Sequence, residues 1–325
     1  MLQKHDSSHE PLPSIDISIL IVNWNAREIL YCCLASIQKI TNIRIETIVV
    51  DNASSDGSVQ MIANCYPGVR VIENYDNNGF ASANNQAVKF SGGCYLLLLN
   101  PDTEICPGAI EKLMHFAKSE PDIAAVGPRL LNPDGTVQRS SWRGYPGLSA
   151  ALIDALYLWK LPWLPIVRES EKSSKVVNEP VDVNHVLGAC MLIPRAAWNE
   201  VGPMDEGYFL FLEETDWCRR ANKMGKRVVY YPLAEVIHHG QHSMRQQPSR
   251  NLPHLYRSYC RFYRESSRNN RVRMVILKII IVMAITIRYI LWLARDYSSR
   301  NEKQNHQARE MLNGYHQVLR ELPSM

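Results

Sequence analysis

Four short apolar runs, each followed by a polar segment, alternate with stretches of helical apolar spacing over the first hundred residues. The apolar runs are predicted strands at 15–22, 45–50, 69–73 and 95–99. The stretches between them are predicted helices at 27–39, 58–65 and 80–90. Strands separated by helices form βαβ units, which give an α/β fold with a mostly parallel central sheet flanked by helices. Because the strands are apolar throughout, the sheet is expected to be buried on both faces.

Asn and Asp side chains follow all four predicted strands. In open α/β sheets, ligands bind in the crevice at the carboxyl ends of the strands. Turn formation alone explains such residues in any one loop, but it explains four loops on one rim less well. We therefore expect the ligand site to be built from the segments 23–25, 51–56, 74–79 and 100–102.

The loop after the first strand contains neither a GxGxxG nor a GxxxxGK[ST] pattern, which argues against a dinucleotide-binding domain and excludes a P-loop. Asp51 stands at a strand end, where its carboxylate could accept a hydrogen bond from a base or a ribose. Asp102 follows a strongly apolar strand and could hold a hard divalent cation through oxygen. Such a cation would bridge the two phosphates of a nucleotide donor and stabilise the leaving diphosphate.

The acidic segment 213–216 begins a predicted helix at 213–224, where the helix dipole favours acids. Apolar and aromatic residues at 208–212 precede it, and such surroundings raise a carboxyl pKa toward the range of a general base. His238, His239 and His242 follow a short strand, and their spacing offers too few ligands for zinc. One of them could touch a diphosphate or its metal, or all could be ordinary surface residues.

The remaining part of the chain up to residue 243 is less regular. Its predicted elements are a turn at 132–135, loops with a short helix over 142–175, one or two strands over 181–193, and two short strands at 227–231 and 235–238.

A basic stretch and an apolar run mark the C-terminal part. Seven arginines and one acid lie between Arg250 and Arg273, and the run 274–294 contains only Lys278 and Arg288 as charges. The run is long enough to span a bilayer, but the two charges make spanning marginal. A helical wheel places Arg271, Lys278, Arg288 and Arg295 within an arc of about 120°. The pattern favours a helix in the membrane interface with its basic side toward anionic headgroups, through residues 250–295. A buried helix and a homodimer interface are the alternatives.

Composition limits the other classes. Of the 325 residues, 46% are hydrophobic and 21% charged, which excludes a fully disordered or collagen-like protein. A formal net charge of +4 does not indicate a nucleic-acid partner. The eight cysteines include no CxxC pair, so a reducing, cytosolic compartment fits best. Residues 1–14 lack a signal-peptide pattern and are predicted to be a disordered tail.

Nine sequence blocks carry a family resemblance. In chain order they are IVNWN (21–25), VDNASSDGS (50–58), NNGFA (77–81), LLNPDT (98–103), DGTVQ (134–138), GACMLI (188–193), VGPMDE (201–206), EETDWCRR (213–220) and HHGQHS (238–243). The ordered set resembles the family-2 inverting glycosyltransferases with the GT-A fold, particularly their rhamnosyltransferase-like bacterial members. The resemblance implies a GT-A domain at 15–245, with a nucleotide-binding half at 15–130 and an acceptor half at 131–245, followed by a helical tail at 246–325.

The resemblance also implies site roles, with a divalent cation, Mg²⁺ or Mn²⁺, as cofactor. The residues implied to bind the nucleotide-diphosphate sugar are Asn23, Asn25, Asp51, Asn78, Gly79, Asn85, Asn100 and Asp102. Asp102 and His238 are the implied metal ligands. Glu214 matches the general base of an acidic pair with Glu213, and the implied acceptor or diphosphate contacts are Asp216, Trp217 and Arg220.

The implied reaction is a single displacement with inversion, in which Glu214 removes a proton from the acceptor hydroxyl. Three residues depart from the family pattern: Asn100 replaces the first Asp of the metal motif, Glu214 replaces Asp, and Ala87 replaces a glycine. The loss of a charge at Asn100 should weaken metal binding unless phosphates supply the remaining ligands.

The expected donor is dTDP-rhamnose first and a UDP-sugar second, and the expected acceptor is a lipid-linked or surface glycan at the cytoplasmic face of a bacterial membrane. A sugar nucleotidyltransferase is less favoured, because residues 22–27 form no glycine-rich basic loop. A catalytically inactive membrane-surface module stays open because of Asn100. A processive synthase would need several spanning segments and a Gln-x-x-Arg-Trp motif, and neither is found.

Overall fold

The computed structural model describes residues 15–138, 142–161, 177–240, 247–266, 270–298 and 302–325. The strands are β1 Ile17–Asn23, β2 Ile45–Asp51, β3 Arg70–Glu73, β4 Tyr95–Leu99, β5 Thr103–Ile105, β6 Ile123–Leu131, β7 Trp142–Arg143, β8 Val181–Asp182, β9 His185–Val186, β10 Cys190–Pro194 and β11 Arg227–His238. The helices are α1 Arg27–Gln38, α2 Ser58–Cys65, α3 Phe80–Lys89, α4 Ala109–Ser119, α5 Leu148–Ala155, α6 Arg195–Val201, α7 Glu213–Lys223, α8 Pro248–Ser266, α9 Arg271–Ser298 and α10 Glu302–Glu321. The predicted N-terminal tail and His242 lie outside the described residues.

A large mixed sheet forms the centre of the molecule, with strand order β3-β2-β1-β4-β10-β6-β11-β5 and β8 beside β11. Its first four strands are parallel, as the alternating pattern predicts. Strand β10 lies between β4 and β6 and runs antiparallel to both, so the second half of the sheet is mixed. The carboxyl ends of β1, β2 and β4 therefore share one edge, which is where the Asn- and Asp-rich loops begin.

The second half differs from the sequence expectation in its details. Two strands were predicted around Pro232, but the chain continues as one strand, β11, whose register against β6 shifts between Tyr231 and Glu235. The shift has a physical reason, because proline has no N–H to donate to the ladder and interrupts the pairing without ending the strand. Strands β5 and β6 and helices α4 and α6 had no sequence prediction.

Two apolar layers bury the sheet, one on each face. The layer that packs under α1 and α4 includes Ile19, Val49 and Leu97, and the layer under α3, α6 and α7 includes Leu20, Ile48 and Trp217. This alternation along the strands explains why they are apolar throughout, since both faces are covered.

The C-terminal part is three helices, α8, α9 and α10, that share an apolar cluster including Leu252, Leu277, Ile281 and Val318. Among the described residues, α9 is the one helix long and apolar enough to cross a membrane by length and composition. The predicted basic, headgroup-facing side of this helix is wrong at Arg288, which is buried and donates to Asp154 Oδ2 over 2.8 Å. The half-buried Lys278 donates to the Pro323 carbonyl over 3.1 Å.

Candidate functional site

Asn23 and Asp51 stand side by side at the carboxyl ends of β1 and β2, and both are buried. Asn23 Nδ2 donates to Asp51 Oδ2 over 2.8 Å, and Asp51 Oδ1 accepts from the Ser54 amide over 2.8 Å. Because the carboxylate can only accept, this bond fixes which end of the Asn23 amide carries the oxygen. Asn23 Oδ1 is buried and has no hydrogen-bond partner in the described structure. A buried acceptor left unpaired at a ligand edge is suited to a donor group from a bound molecule.

The neighbouring loops are held in place by backbone bonds. Asn25 adopts a left-handed conformation, with φ of 50°, and its Oδ1 accepts from the Ser55 amide over 2.8 Å. Gly79 has φ of 83°, and a Cβ there would lie 2.4 Å from the carbonyl oxygen of Phe209, so no other residue fits without moving the backbone. Asn78 is exposed on the rim. Of these residues, Asn25 clamps two loops together, and Gly79 allows the chain to approach the loop before α7.

Asp102 and His238 meet at the end of β4, where Asp102 Oδ1 lies 3.4 Å from His238 Nε2. Gln138 Nε2 donates to the His238 carbonyl over 2.5 Å, which turns its Oε1 toward His238 Nδ1 at 3.0 Å. Nδ1 then carries a proton toward Gln138, and the other ring nitrogen, Nε2, points at the Asp102 carboxylate. A carboxylate oxygen and an imidazole nitrogen at this distance can share a proton or a cation.

This donor set fits a hard divalent cation. Two ligands at about 2.1 Å from an octahedral ion lie about 3 Å apart, close to the observed separation. Gln138 acts as the outer partner that orients a metal-binding histidine. No group of three or more His, Cys, Asp or Glu side chains lies together among the described residues, so the rest of the coordination shell must come from elsewhere. Diphosphate oxygens and water are its natural sources, as expected when Asn100 replaces a carboxylate.

Glu213 and Glu214 begin helix α7, and both are buried. The two residues before them, Phe211 and Leu212, have φ of 72° and 68°, which are strained values for side-chain-bearing residues. This backbone directs the first turn of α7 toward the strand edge. A Cβ at Gly188 would touch Glu214, and the adjacent Ala189 carbonyl accepts from the Asn100 amide over 2.9 Å. Glu214 is thus close to the end of β4.

The two carboxyl groups perturb each other. Burial, and then the charge of Glu214, raise the pKa of Glu213 well above its ordinary value. Glu213 Oε2 is buried without a hydrogen-bond partner in the described structure. The pair therefore holds a proton at higher pH than a free glutamate does, which suits an acid–base site.

Four residues that the family resemblance places at the donor or acceptor are engaged in structural bonds instead. Asn85 donates to the Met204 carbonyl and accepts from the Met204 amide, both over 2.9 Å. The fully buried Trp217 donates to the Gly202 carbonyl over 2.8 Å. Arg220 donates to the carbonyls of Val201 and Pro203, and Asp216 pairs with Arg219 and Arg220. Together they fix the loop at 201–206. The expected contacts of these four with donor, acceptor or diphosphate stay predictions.

Helix α8 closes one side of the site, which the sequence analysis did not foresee. The Arg250 guanidinium lies 4.8 Å from the centre of the Trp24 ring, and the His254 ring stacks on Phe209 at 4.1 Å. Burial, helped by the nearby arginines, lowers the pKa of His254 to about 4, so its ring is neutral at physiological pH. Ser258 also contacts the loop before α7. Residues 250, 254 and 258 are one helical turn apart, and this spacing is the sequence signal that could have indicated a shared face of α8 toward the site.

A family model described as "Glycosyl transferase family 2" matches residues 18–198, which is more than half of the chain. The chain belongs to this family. It is 32% identical over 241 residues to an N-acetylglucosaminyl-diphospho-decaprenol L-rhamnosyltransferase from Mycobacterium tuberculosis, an alignment that covers 69% of this chain and 76% of the relative. The chain is therefore a glycosyltransferase, and its resemblance to the rhamnosyltransferase-like branch is confirmed.

Two solved structures share the fold. A mannosyltransferase from Pyrobaculum calidifontis, in complex with GDP-Man and Mn²⁺, aligns with a TM-score of 0.55 at 11% identity over 94% of this chain and 88% of its own. GalNAc-T7, solved with UDP, GalNAc and Mn²⁺, aligns with a TM-score of 0.53 at 19% identity over 69% of this chain and 44% of its own. The predicted GT-A fold is confirmed.

Proposed function

We propose that this glycosyltransferase moves a sugar from a nucleotide-diphosphate donor to a hydroxyl of a lipid-linked acceptor, with inversion at the anomeric carbon. The proposed donor is dTDP-rhamnose, and a UDP-sugar is the second choice. The observation that carries the proposal is the Asp102–His238 pair, whose carboxylate oxygen and ring nitrogen lie 3.4 Å apart at the same sheet edge as the unpaired Asn23 oxygen. The catalytic domain extends over 15–245, with a nucleotide half at 15–130, and the helical tail over 246–325.

The nucleotide end of the donor fits the Asn23 and Asp51 pair. Thymine and uracil both carry an imide N–H, which would donate to the unpaired Asn23 Oδ1. Asp51 is already oriented by Asn23 and by the Ser54 amide, so its carboxylate is held in place for a base or ribose hydroxyl. Asn25, Asn78 and Gly79 shape the adjoining loops.

Asp102 and His238 would hold Mg²⁺ or Mn²⁺ together with the donor diphosphate. When bound, the cation neutralises the charge that builds up on the leaving diphosphate. His238 is oriented for this by Gln138, and Asp102 by the end of β4. The two related structures that contain Mn²⁺ support a divalent cation without distinguishing the two ions.

Glu214 is the proposed general base, and Glu213 is its partner. A single displacement needs one carboxylate that can take the proton of the attacking hydroxyl. Because Glu213 has the raised pKa, it holds a proton readily and leaves Glu214 charged to act as the base. Glu213 is then a positioning residue that keeps the pair at one negative charge.

The acceptor and its location are inferred from the relatives. The mycobacterial relative is named for a diphospho-decaprenol acceptor, which is a membrane lipid. A lipid-linked acceptor places this enzyme at a membrane, and the free cysteines fit the cytoplasmic face. Peripheral attachment through the helical tail is part of the proposal.

The test is a donor screen with purified full-length protein. Hydrolysis and binding of dTDP-rhamnose, UDP-glucose, UDP-galactose, UDP-N-acetylglucosamine and GDP-mannose are measured with Mg²⁺, with Mn²⁺ and with EDTA. We expect metal-dependent turnover of dTDP-rhamnose. It should be lost in Asp102→Ala, whereas Glu214→Gln should retain donor binding without turnover.

Three results would change the proposal. Turnover of a UDP-sugar alone would replace the donor. Hydrolysis that survives in Asp102→Ala but not in Glu214→Gln would keep the base and remove the metal ligand. Absence of binding to every donor, in protein that unfolds cooperatively, would favour an inactive module.

A further inference from the structure

One face of helix α9 is apolar and uncovered. Nine of the sixteen exposed large apolar or aromatic side chains in the described residues belong to this helix. Val272, Val275, Ile279 and Val282 are 42–69% exposed, and Ile290 and Leu293 continue the same side further along the helix. Positions at intervals of three and four residues lie on one side of a helix. They form a continuous stripe, which we call the outer face of α9.

The inner face of α9 is fully engaged. Leu277, Ile281 and Ile285 are buried against α10 and α8, and Ala284 is buried against α5. Arg288 is buried, and the half-buried Lys278 donates to the Pro323 carbonyl. Between its exposed arginines at both ends, the helix is amphipathic in the opposite sense to the sequence expectation, because these two charges bond to the protein and apolar side chains are exposed.

The outer face carries little that a protein partner could recognise through hydrogen bonds. Its exposed hydroxyl, that of Thr286, donates to the Val282 carbonyl of the same helix over 2.9 Å. Protein interfaces place polar groups in a rim around an apolar centre. A polar group satisfied within its own helix is instead what contact with hydrocarbon requires.

Cationic and aromatic groups stand at the ends of the stripe. Arg264, Arg271 and Arg273 are exposed near its beginning, and Arg295 and Tyr297 near its end. Arginines of this kind attract anionic headgroups, and tyrosine and tryptophan favour the interface between headgroups and acyl chains. The charge and the apolar area together match a lipid surface.

Spanning is not compatible with the packing. Helix α10 is fixed to α9 through Tyr315 and Val318; its Arg309 pairs with Asp296 of α9 over 3.7 Å, and its Arg320 is exposed. If α9 crossed the bilayer, it would carry these charges into hydrocarbon, which is costly. A helix lying in the membrane plane buries the outer face and leaves α10 in water.

We propose that the outer face of α9 docks in the surface of an anionic lipid bilayer, with the helix parallel to the membrane plane. This inference deepens the proposed function, because the membrane would present the lipid-linked acceptor to the enzyme. Arg250 and His254 on α8 connect the site to the same helical unit. The docking helix and the donor edge are thereby joined by one packed element.

The experiment is vesicle flotation of the full-length protein without any sugar donor, so that it stands apart from the catalytic test. The vesicles are phosphatidylcholine with and without phosphatidylglycerol. We expect binding to the anionic vesicles that weakens with salt, and a loss of about tenfold or more in Val275→Glu/Ile279→Glu. Leu233→Glu, at an exposed apolar residue on β11, is the matched control and should float like the wild type.

Trypsin added to the vesicle-bound protein tests orientation, since cleavage should occur on both sides of α9, after Arg271 and after Arg309. Protection of one side would establish spanning and overturn the proposal. Flotation that is unaffected by the double substitution would also overturn it. The proposal would also be overturned if the protein does not float and light scattering shows a dimer that the double substitution dissociates. Thermal unfolding of both variants near the wild-type temperature excludes misfolding as the cause.

Discussion

The residues that match the family fall into two groups that differ in what their polar atoms do. At the strand edge, Asn23 has a buried oxygen without a hydrogen-bond partner in the described structure, and Asp102 and His238 point at each other across 3.4 Å. One turn into α7, Trp217 and Arg220 direct their N–H groups into the backbone of the loop at 201–206. Sequence matching treats the groups alike. We interpret this difference in hydrogen bonding as a division between residues that bind a ligand and residues that shape the site.

The largest effect is expected at the strand edge. Asp102→Ala removes the proposed metal ligand and Glu214→Gln removes the proposed base, so each should lower the transfer rate by about a thousandfold. Initial-rate measurements with dTDP-rhamnose check this. Thermal unfolding should change little in both, because neither side chain supports the core. A rate within tenfold of the wild type in both variants would remove the distinction between the groups.

The structural group should show the opposite behaviour. Trp217→Phe leaves the Gly202 carbonyl unpaired, and Asn85→Ala leaves both backbone groups of Met204 unpaired. Each should lower the free energy of unfolding by about 1–3 kcal/mol. Urea denaturation measures the loss. KM for the donor should stay within about threefold of the wild type in the folded protein, and a much larger rise would return Asn85 or Trp217 to the binding residues.

Glu213 belongs to neither group alone, and the pH dependence of protein stability tests its role. Its folded-state pKa is raised, so the folded protein holds a proton that the unfolded chain has already released as pH rises above about 4.3. Stability from this group is complete below that pH and is lost as pH rises toward the folded-state pKa. Glu213→Gln should therefore raise the melting temperature at pH 8 and change it little at pH 4, without metal or donor. Equal shifts at both pH values would contradict the raised pKa.

The smallest effect is expected at Arg250, whose guanidinium packs on Trp24. An exposed cation–π contact contributes about 0.5–1 kcal/mol. Arg250→Ala should raise KM for the donor by about two- to fivefold with kcat nearly unchanged, because Trp24 loses its support beside the nucleotide. Arg264→Ala, on the same helix but outside the site, is the control. Identical kinetics for both variants would show that Arg250 of α8 does not contribute to donor binding.

The sequence predicts β1 to β4 and α1 to α3 well because apolar runs alternate there with stretches of helical spacing. The edge with Asn23, Asp51 and Asp102 follows from that pattern. The second half depends on long-range strand pairing, such as β10 inserted between β4 and β6. The spacing of residues within one segment does not show which distant strand it pairs with. The partners of Asn85, more than a hundred residues away, are invisible for the same reason.

The tail shows a different limit. A helical wheel finds that Arg288 and Lys278 share a side, but it cannot tell which side packs inward. Only the position of Asp154, on α5, shows that Arg288 is buried. The apolar side is left outside as a result.

The most direct test of the account is calorimetric binding of dTDP in Mn²⁺ to the wild type, Asp102→Ala and Asn85→Ala, with an EDTA control. We predict that EDTA and Asp102→Ala abolish binding, and that Asn85→Ala binds within about threefold of the wild type. Equal binding in EDTA, or loss in Asn85→Ala with Asp102→Ala unaffected, would contradict the division of the site proposed here.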